Sequence, residues 1–255
     1  MSQNSSELYC KWRLQPGRMT DFLSIASQLV NREIAASDGT LRCDWFANEG
    51  NNEVITMAVY RDAAGVASHG SRCAELYGEL MQMATPALQW IGRPSHDALA
   101  ALPWSAAIAD FDRGLATVGG ANQFRREKGG EPVPHIEIYT RFAIQPGKLL
   151  EFRKLARECL SAVIAHDPGT LRYDWFYDEA SLVSLALDTY ADAQAMFAHM
   201  KNCSAPHHEL LRRSQMTTEF LGPLSVDAYA AIAKYNPYVA RFVAGLKPYS
   251  SGGFR

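Results

Sequence analysis

The sequence predicts an α+β protein that contains two tandem copies of one module, each with the element order β-α-β-β-α-β. The first observation is a repeat at a spacing of 130 residues, because residues 39–46 match residues 169–176 at seven of eight positions. The second is that strand-like alternation and helix-like periodicity follow one another in the same order in each copy. The third is a polar segment with a glycine pair near each end, which is typical of a linker.

The repeat extends beyond this motif. The same offset relates His69 to His199, and one residue of slippage aligns Gly114 with Gly245. Copy one therefore runs from about residue 7 to 116, and copy two from about 137 to 247.

These limits predict the domain organisation. We expect a first module over residues 1–118, a linker over 119–135 and a second module over 136–255. The second module ends in a tail from Asn236 onward, which either covers a pocket or frays.

Copy two shows its elements most clearly. Apolar residues alternate in the strand segments, and they recur at helical spacing in the segments between them. Pro146-Gly147 and Asp167-Pro168-Gly169 mark element ends. The predicted strands cover residues 137–144, 170–177, 182–190 and 217–221, and the predicted helices cover 149–165, 191–200 and 206–213.

Copy one repeats this order. Its predicted strands cover residues 7–14, 40–47, 53–60 and 87–91, and its predicted helices cover 18–36 and 62–84. The order is that of the ferredoxin-like split βαβ unit. Such a sheet carries helices on one face only, so we expect the two copies to bury the other faces by packing sheet to sheet.

Composition and charge exclude several classes of protein. Hydrophobic residues make up 47% and charged residues 20% of the 255 residues, which is ordinary globular composition. The net charge of -2 provides no basic field for nucleic acid. The polar N-terminus and the lack of a run of about 18 apolar residues predict neither a signal peptide nor a membrane span.

The cysteines point to a reducing compartment. There are five, an odd number, and no pair has C-x-x-C spacing. A disulfide framework and a zinc site are both disfavoured. We therefore expect reduced thiols in a cytoplasmic protein without a metal site.

A family resemblance rests on residues of copy two. Residues 169–179, residues 189–193, His199 and residues 220–225 together resemble the antibiotic biosynthesis monooxygenase (ABM) domain, whose family includes quinol monooxygenase-type proteins. The resemblance implies the dimeric α+β barrel fold, here as an intrachain pair. It also implies a cofactor-independent monooxygenase that oxidises a small aromatic or quinol-like substrate with molecular oxygen.

That chemistry needs a base, a donor to the substrate oxyanion and aromatic walls. His199 is the predicted base, because imidazole titrates near neutral pH, and Tyr173 is the predicted oxyanion partner. His69 is the equivalent of His199 in copy one. For both histidines, hydrogen bonding near a helix end is the structural alternative.

Other residues are candidates for the substrate pocket. Trp175, Tyr177 and His207 in copy two, and Trp45 in copy one, form this set, with core packing as the alternative for the tryptophans and surface exposure for His207. Arg172 and Asp174 lie on the opposite strand face and are expected to form a structural ion pair between strands or modules.

Copy two retains more of the family pattern, so we expect the active site there, with the inverse assignment left open. Two other functions are open as well: a non-catalytic protein that binds a small aromatic or lipid-like molecule, and a haem-binding or haem-degrading protein. Dimerisation of the fused pair is also left open.

Overall fold

The computed structural model describes residues 6–36, 39–102, 106–115, 136–222 and 224–246. These residues divide into two compact units. The first contains the described residues up to Ile108 together with those from Ala240 on, and the second contains those from Ala109 to Val239. Among the described helices, none is long and apolar enough to cross a membrane.

Each copy contains the predicted elements in the predicted order, followed by a short helix and a further strand. The strands are β1 (Ser6–Leu14), β2 (Thr40–Asn48), β3 (Glu53–Tyr60), β4 (Ala84–Ile91), β5 (Ala107–Gly114), β6 (Ile136–Ile144), β7 (Thr170–Asp178), β8 (Val183–Tyr190), β9 (Ser214–Leu221) and β10 (Tyr238–Ala244). The helices are α1 (Met19–Ala36), α2 (Ala63–Met83), α3 (His96–Ala101), α4 (Leu149–His166), α5 (Ala193–Asn202), α6 (Ser204–Leu211) and α7 (Val226–Ile232), followed by a 3₁₀ turn at Ala233–Tyr235.

The sheet of the first unit has the strand order β4-β1-β3-β2-β10, and all of its described pairs are antiparallel. The sheet of the second unit has the equivalent order β9-β6-β8-β7-β5 and is also antiparallel. The two registers agree with the repeat, since Leu8 lies opposite Ala58 and Ile138 lies opposite Asp188. The α+β class and the tandem ferredoxin-like modules are thus confirmed.

The motif shared by both copies has a structural explanation. Asp192 caps α5 by accepting a hydrogen bond from the Ala195 backbone N–H at 2.8 Å, and Asp62 caps α2 in the same way. Gly169 lies so close to α5 that a Cβ built on it would approach the Ala195 Cβ to 2.6 Å. The repeated glycine and aspartate therefore fix where each strand meets its helix.

Two strands were not predicted from the sequence. β10 lies in the segment expected to be a tail, and it pairs with β2 of copy one. β5 lies at the end of copy one and pairs with β7 of copy two. Each copy therefore supplies the fifth strand to the sheet of the other copy.

Aromatic side chains fill the space between the helices and one face of each sheet. In the first unit Trp12 stacks on Trp45 at 6.1 Å between ring centroids and meets Phe22 edge-on. In the second unit Phe142 stacks on Trp175 at 5.5 Å. Each fully buried ring of this size stabilises the fold by roughly 2–3 kcal/mol.

The linker predicted over residues 119–135 lies outside the described residues, so the domain boundaries stay a prediction. The two-piece helix predicted after β8 is present as α5 and α6. Copy one instead has one long helix, α2, as predicted.

Candidate functional site

Four side chains of copy two meet on the helix-facing side of its sheet. Tyr173 on β7 lies directly opposite Asp188 on β8. Tyr190 lies two residues beyond Asp188, on the same face, and donates a hydrogen bond to it. His199 on α5 packs against the rings of both tyrosines. We call Tyr173, Asp188, Tyr190 and His199 the Asp188 cluster.

Asp188 is the unusual member of this cluster. It is the only ionisable carboxyl group of strand β8, and its side chain is buried. The Tyr190 hydroxyl donates to its Oδ2 at 3.2 Å, whereas its Oδ1 is buried without a hydrogen-bond partner among the described residues. Burial raises the pKa of Asp188 from 3.8 to about 7, although the hydrogen bond from Tyr190 opposes the rise. The carboxyl group therefore has a free acceptor atom and titrates near neutral pH.

His199 is held by a buried carboxylate. Its Nδ1 lies 3.1 Å from Oδ2 of Asp167, which follows the end of α4. The side-chain amide of Asn202 donates to the other oxygen of Asp167. The imidazole is packed edge-on against Tyr173, with 4.8 Å between ring centroids. The structure thus brings the predicted site residues His199 and Tyr173 into contact, and Asp167 orients the histidine.

Tyr173 remains protonated over a wide pH range. Burial raises its pKa well above the usual value, and the negative charge of Asp188 adds to the rise. A phenol with a raised pKa keeps its O–H and can donate to an anion.

The other predicted pocket residues have different surroundings. Trp175 is 1% exposed and lies in the aromatic core beside Phe142, which agrees with core packing. Tyr177 is buried, and the Arg153 guanidinium lies 4.5 Å above its ring. His207 is half-buried on α6 at the edge of Phe142, and burial lowers its pKa.

The equivalent histidine of copy one makes different contacts. His69 Nε2 lies 2.7 Å from the Tyr77 hydroxyl, and its Nδ1 lies 3.2 Å from Oε1 of Glu33. Arg72 donates to the same oxygen at 2.9 Å. Burial favours a higher pKa for Glu33. Hydrogen bonds from His69 and Arg72 outweigh that effect and hold the pKa well below its usual range. Trp45, the predicted pocket residue of copy one, is fully buried in the core.

Copy one encloses a small cavity next to this group. Its volume is about 20 Å³, which is room for about one water molecule. The lining residues are Leu8, Cys10, Trp12, Thr56, Ala58, Tyr60, Tyr77 and Leu88.

The equivalent positions in copy two are more polar. At the offset of 130 residues, Ala58 corresponds to Asp188, Tyr77 to His207 and Leu88 to Thr218. Thr218 lies 3.5 Å from Thr140, which corresponds to Cys10. The two copies have therefore diverged at the same place on the fold.

Asp188 was not among the residues predicted from the sequence. The available signal was a carboxylate in the strand segment 182–190, on the face that carries Ala186 and Tyr190, where copy one has Ala58. Arg172 and Asp174 form an ion pair at 2.9 Å between two residues of one strand, because side chains at i and i+2 share a face.

Comparison with known proteins agrees with this architecture. The family model described as antibiotic biosynthesis monooxygenase matches residues 8–72 and 136–213, more than half of the chain. The chain belongs to the antibiotic biosynthesis monooxygenase family. Because one matched segment falls in each copy, the chain contains two ABM modules. No curated protein matches the sequence.

Solved structures share the ABM fold at low sequence identity. A candidate monooxygenase from Fusobacterium nucleatum is 12% identical, with a TM-score of 0.57 over 86% of this chain and 91% of the other. A candidate monooxygenase from Lactobacillus acidophilus NCFM is 10% identical, with a TM-score of 0.53 over 85% and 92%. At these identities the likeness extends to the fold alone.

Proposed function

We propose that the chain is a cofactor-independent monooxygenase that oxidises a small aromatic or quinol-like substrate with molecular oxygen, and that copy two carries the reaction. The observation that supports this most is the buried carboxyl group of Asp188, with one oxygen free of hydrogen bonds among the described residues, beside Tyr173 and Tyr190. Burying an ionisable group that forms no ion pair with any described residue costs free energy, and such costly groups are concentrated at functional sites.

Asp188 would accept the proton that activates the substrate. Transfer of a phenolic or carbon-bound proton to Oδ1 leaves an electron-rich anion, which supplies electrons to oxygen. One oxygen atom enters the product and the other leaves as water. A base with a pKa near 7 is well matched to this step at neutral pH.

Tyr173 would stabilise the anion. Its hydroxyl stays protonated, so it can donate to the substrate oxygen when negative charge develops there. His199 packs edge-on against Tyr173 and positions its ring, while Asp167 fixes the imidazole. His199 is the second candidate for the proton acceptor.

The two copies differ at the position of the proposed base. Copy one has Ala58 where copy two has Asp188. We therefore assign copy one a structural role.

Oxygen uptake by the purified protein tests the proposal, against a panel of quinols, anthrones and naphthols without flavin. We expect uptake that depends on the protein and on Asp188. Replacing His199 by Ala should lower turnover by misplacing Tyr173, whereas Asp188→Asn should abolish it. If Asp188→Asn keeps full turnover and His199→Ala has none, His199 is the base instead. Binding without any oxygen uptake would favour the non-catalytic binding protein.

A further inference from the structure

Three side chains of the kinds that ligate metal ions meet in copy two, at the junction of α4, α5 and α6. They are Asp167, His199 and Cys203, all buried, and their donor atoms lie within 4.8 Å of one another. His199 and Cys203 are four residues apart, which places them on the same side of adjacent turns. Asp167 reaches them from the end of α4.

Copy one contains the same arrangement, and the difference between the copies is informative. Glu33, His69 and Cys73 also have their donor atoms within 4.8 Å. There, however, Arg72 donates to both oxygens of Glu33, at 2.9 and 3.4 Å. A permanent cation already balances the carboxylate of copy one.

Copy two lacks that cation at the equivalent position. Residue 202 is Asn, and its amide donates to Asp167 without bringing a charge. A buried carboxylate is costly unless a cation compensates it. A divalent ion would do so, because a carboxylate, a thiolate and a neutral imidazole together neutralise two positive charges.

We propose that Asp167, His199 and Cys203 bind one zinc-like divalent cation. Thiolate and imidazole donors favour zinc over magnesium or calcium. Two ligands on a tetrahedral zinc ion stand about 3.3 Å apart at bond lengths of about 2.0–2.1 Å. His199 Nδ1 and Asp167 Oδ2 are already 3.1 Å apart. Three protein ligands leave the fourth position to a water molecule.

Ion binding requires a change at Cys203. Its thiol now donates to the Cys159 carbonyl oxygen at 3.6 Å. On binding, the thiol would lose its proton, give up this hydrogen bond and turn toward His199, so affinity should fall at low pH. The chain has no C-x-x-C spacing, and the site arises instead from H-x₃-C in one segment and a carboxylate from another.

Zinc titration of the full-length protein, stripped with chelator, tests this proposal. Competition with a chromophoric chelator should show one Zn²⁺ bound per chain. Asn202→Arg, which installs the cation of copy one, should abolish binding. Arg72→Asn should allow a second Zn²⁺ to bind, in copy one.

Cys203→Ser and His199→Ala provide the controls for ligation. With Co²⁺ as the probe, the thiolate charge-transfer band should appear for the wild type and vanish for Cys203→Ser, a change small enough to keep the fold as judged by circular dichroism. Failure to bind one Zn²⁺ per chain would overturn the proposal. Zn²⁺ binding that both variants leave unchanged would also overturn it, because that result would mark an adventitious ion only. These assays use no substrate, so their outcome is independent of the proposed oxygenase activity.

Discussion

At the scale of single residues, Asp188 couples stability to pH. Burial raises its pKa from the usual 3.8, which the unfolded chain keeps, to about 7 in the folded protein, so the folded state holds a proton that the unfolded state releases. The free energy of unfolding therefore decreases as pH rises from about 4 to about 7. At higher pH this contribution of Asp188 stays constant at its lowest value. Ionising Asp188 costs at most about 4 kcal/mol by this relation.

Replacing Asp188 by Asn should make the protein more stable above pH 7. The neutral amide avoids the cost of burying charge, and the gain should disappear as pH falls to about 4, where Asp188 is protonated in the folded state. Urea unfolding of both proteins at several pH values measures the difference. A variant that is less stable than wild type at pH 8 would show that the carboxylate is well compensated.

Tyr190→Phe should shift the pH dependence of turnover. The Tyr190 hydroxyl donates to Oδ2 and favours the ionised carboxyl group, so its loss raises the pKa of Asp188 further. We expect the rising limb of kcat/KM, centred near pH 7 in the wild type, to move up by roughly one pH unit. Tyr60→Phe in copy one is the matched control, since its neighbour there is Ala58. Equal midpoints for the wild type, Tyr190→Phe and Tyr60→Phe would show that ionisation of Asp188 does not control kcat/KM.

At the scale of elements, the added strands depend on close backbone contact. Gly114 on β5 lies against Asp174 on β7, and a Cβ built there would overlap the carboxylate and lie 2.7 Å from the Asp174 Cα. Gly245 has the same relation to the Asp44 carboxylate in the other unit. The aspartates of the repeated motif thus occupy space that only glycine leaves free on the neighbouring strand.

Gly114→Ala should therefore destabilise the protein by about 1–3 kcal/mol, because either the strand or the Arg172–Asp174 pair must move. Gly78→Ala is the control, since nothing lies within 4 Å of a Cβ built on that glycine and helix α2 gains from alanine. Equilibrium unfolding in urea measures both. Equal stability of the two variants would contradict the close packing of β5.

The sequence could predict the elements whose pattern is local. Alternation in β6 and helical spacing in α4 reflect burial of one face, and the repeat provides the same pattern twice. β5 and β10 could not be found in this way, because their partners are distant in the chain and their residues are only partly buried. His199 became a candidate through its place in the repeat and in the family pattern. Its partner Asp167 was interpreted only as part of the signal that ends helix α4. In the structure Asp167 does end that helix, and it also contacts His199.

At the scale of the whole molecule, the two copies share a fold and differ in chemistry. Copy one has the arginine-balanced Glu33 and a cavity of about 20 Å³, while copy two has Asp188 and the uncharged Asn202. Duplication allows one copy to keep packing interactions while the other bears costly buried charge.

This asymmetry predicts one aromatic ligand per chain. Isothermal titration with a naphthol probe should give a stoichiometry of one. Tyr173→Ala in copy two should weaken binding at least tenfold through loss of its ring and hydroxyl. Tyr77→Phe in copy one should leave affinity unchanged. Two equivalent sites per chain would contradict a structural role for copy one.

The most direct test of the central claim compares oxygen uptake by the wild type and by Asp188→Asn, with the quinol panel, without flavin and at pH 8. We predict uptake by the wild type and its loss in the variant, while the variant remains folded and at least as stable. Equal uptake by both proteins, or no uptake by the wild type with any member of the panel, would contradict the assignment of Asp188 as the proton acceptor of an oxygenase.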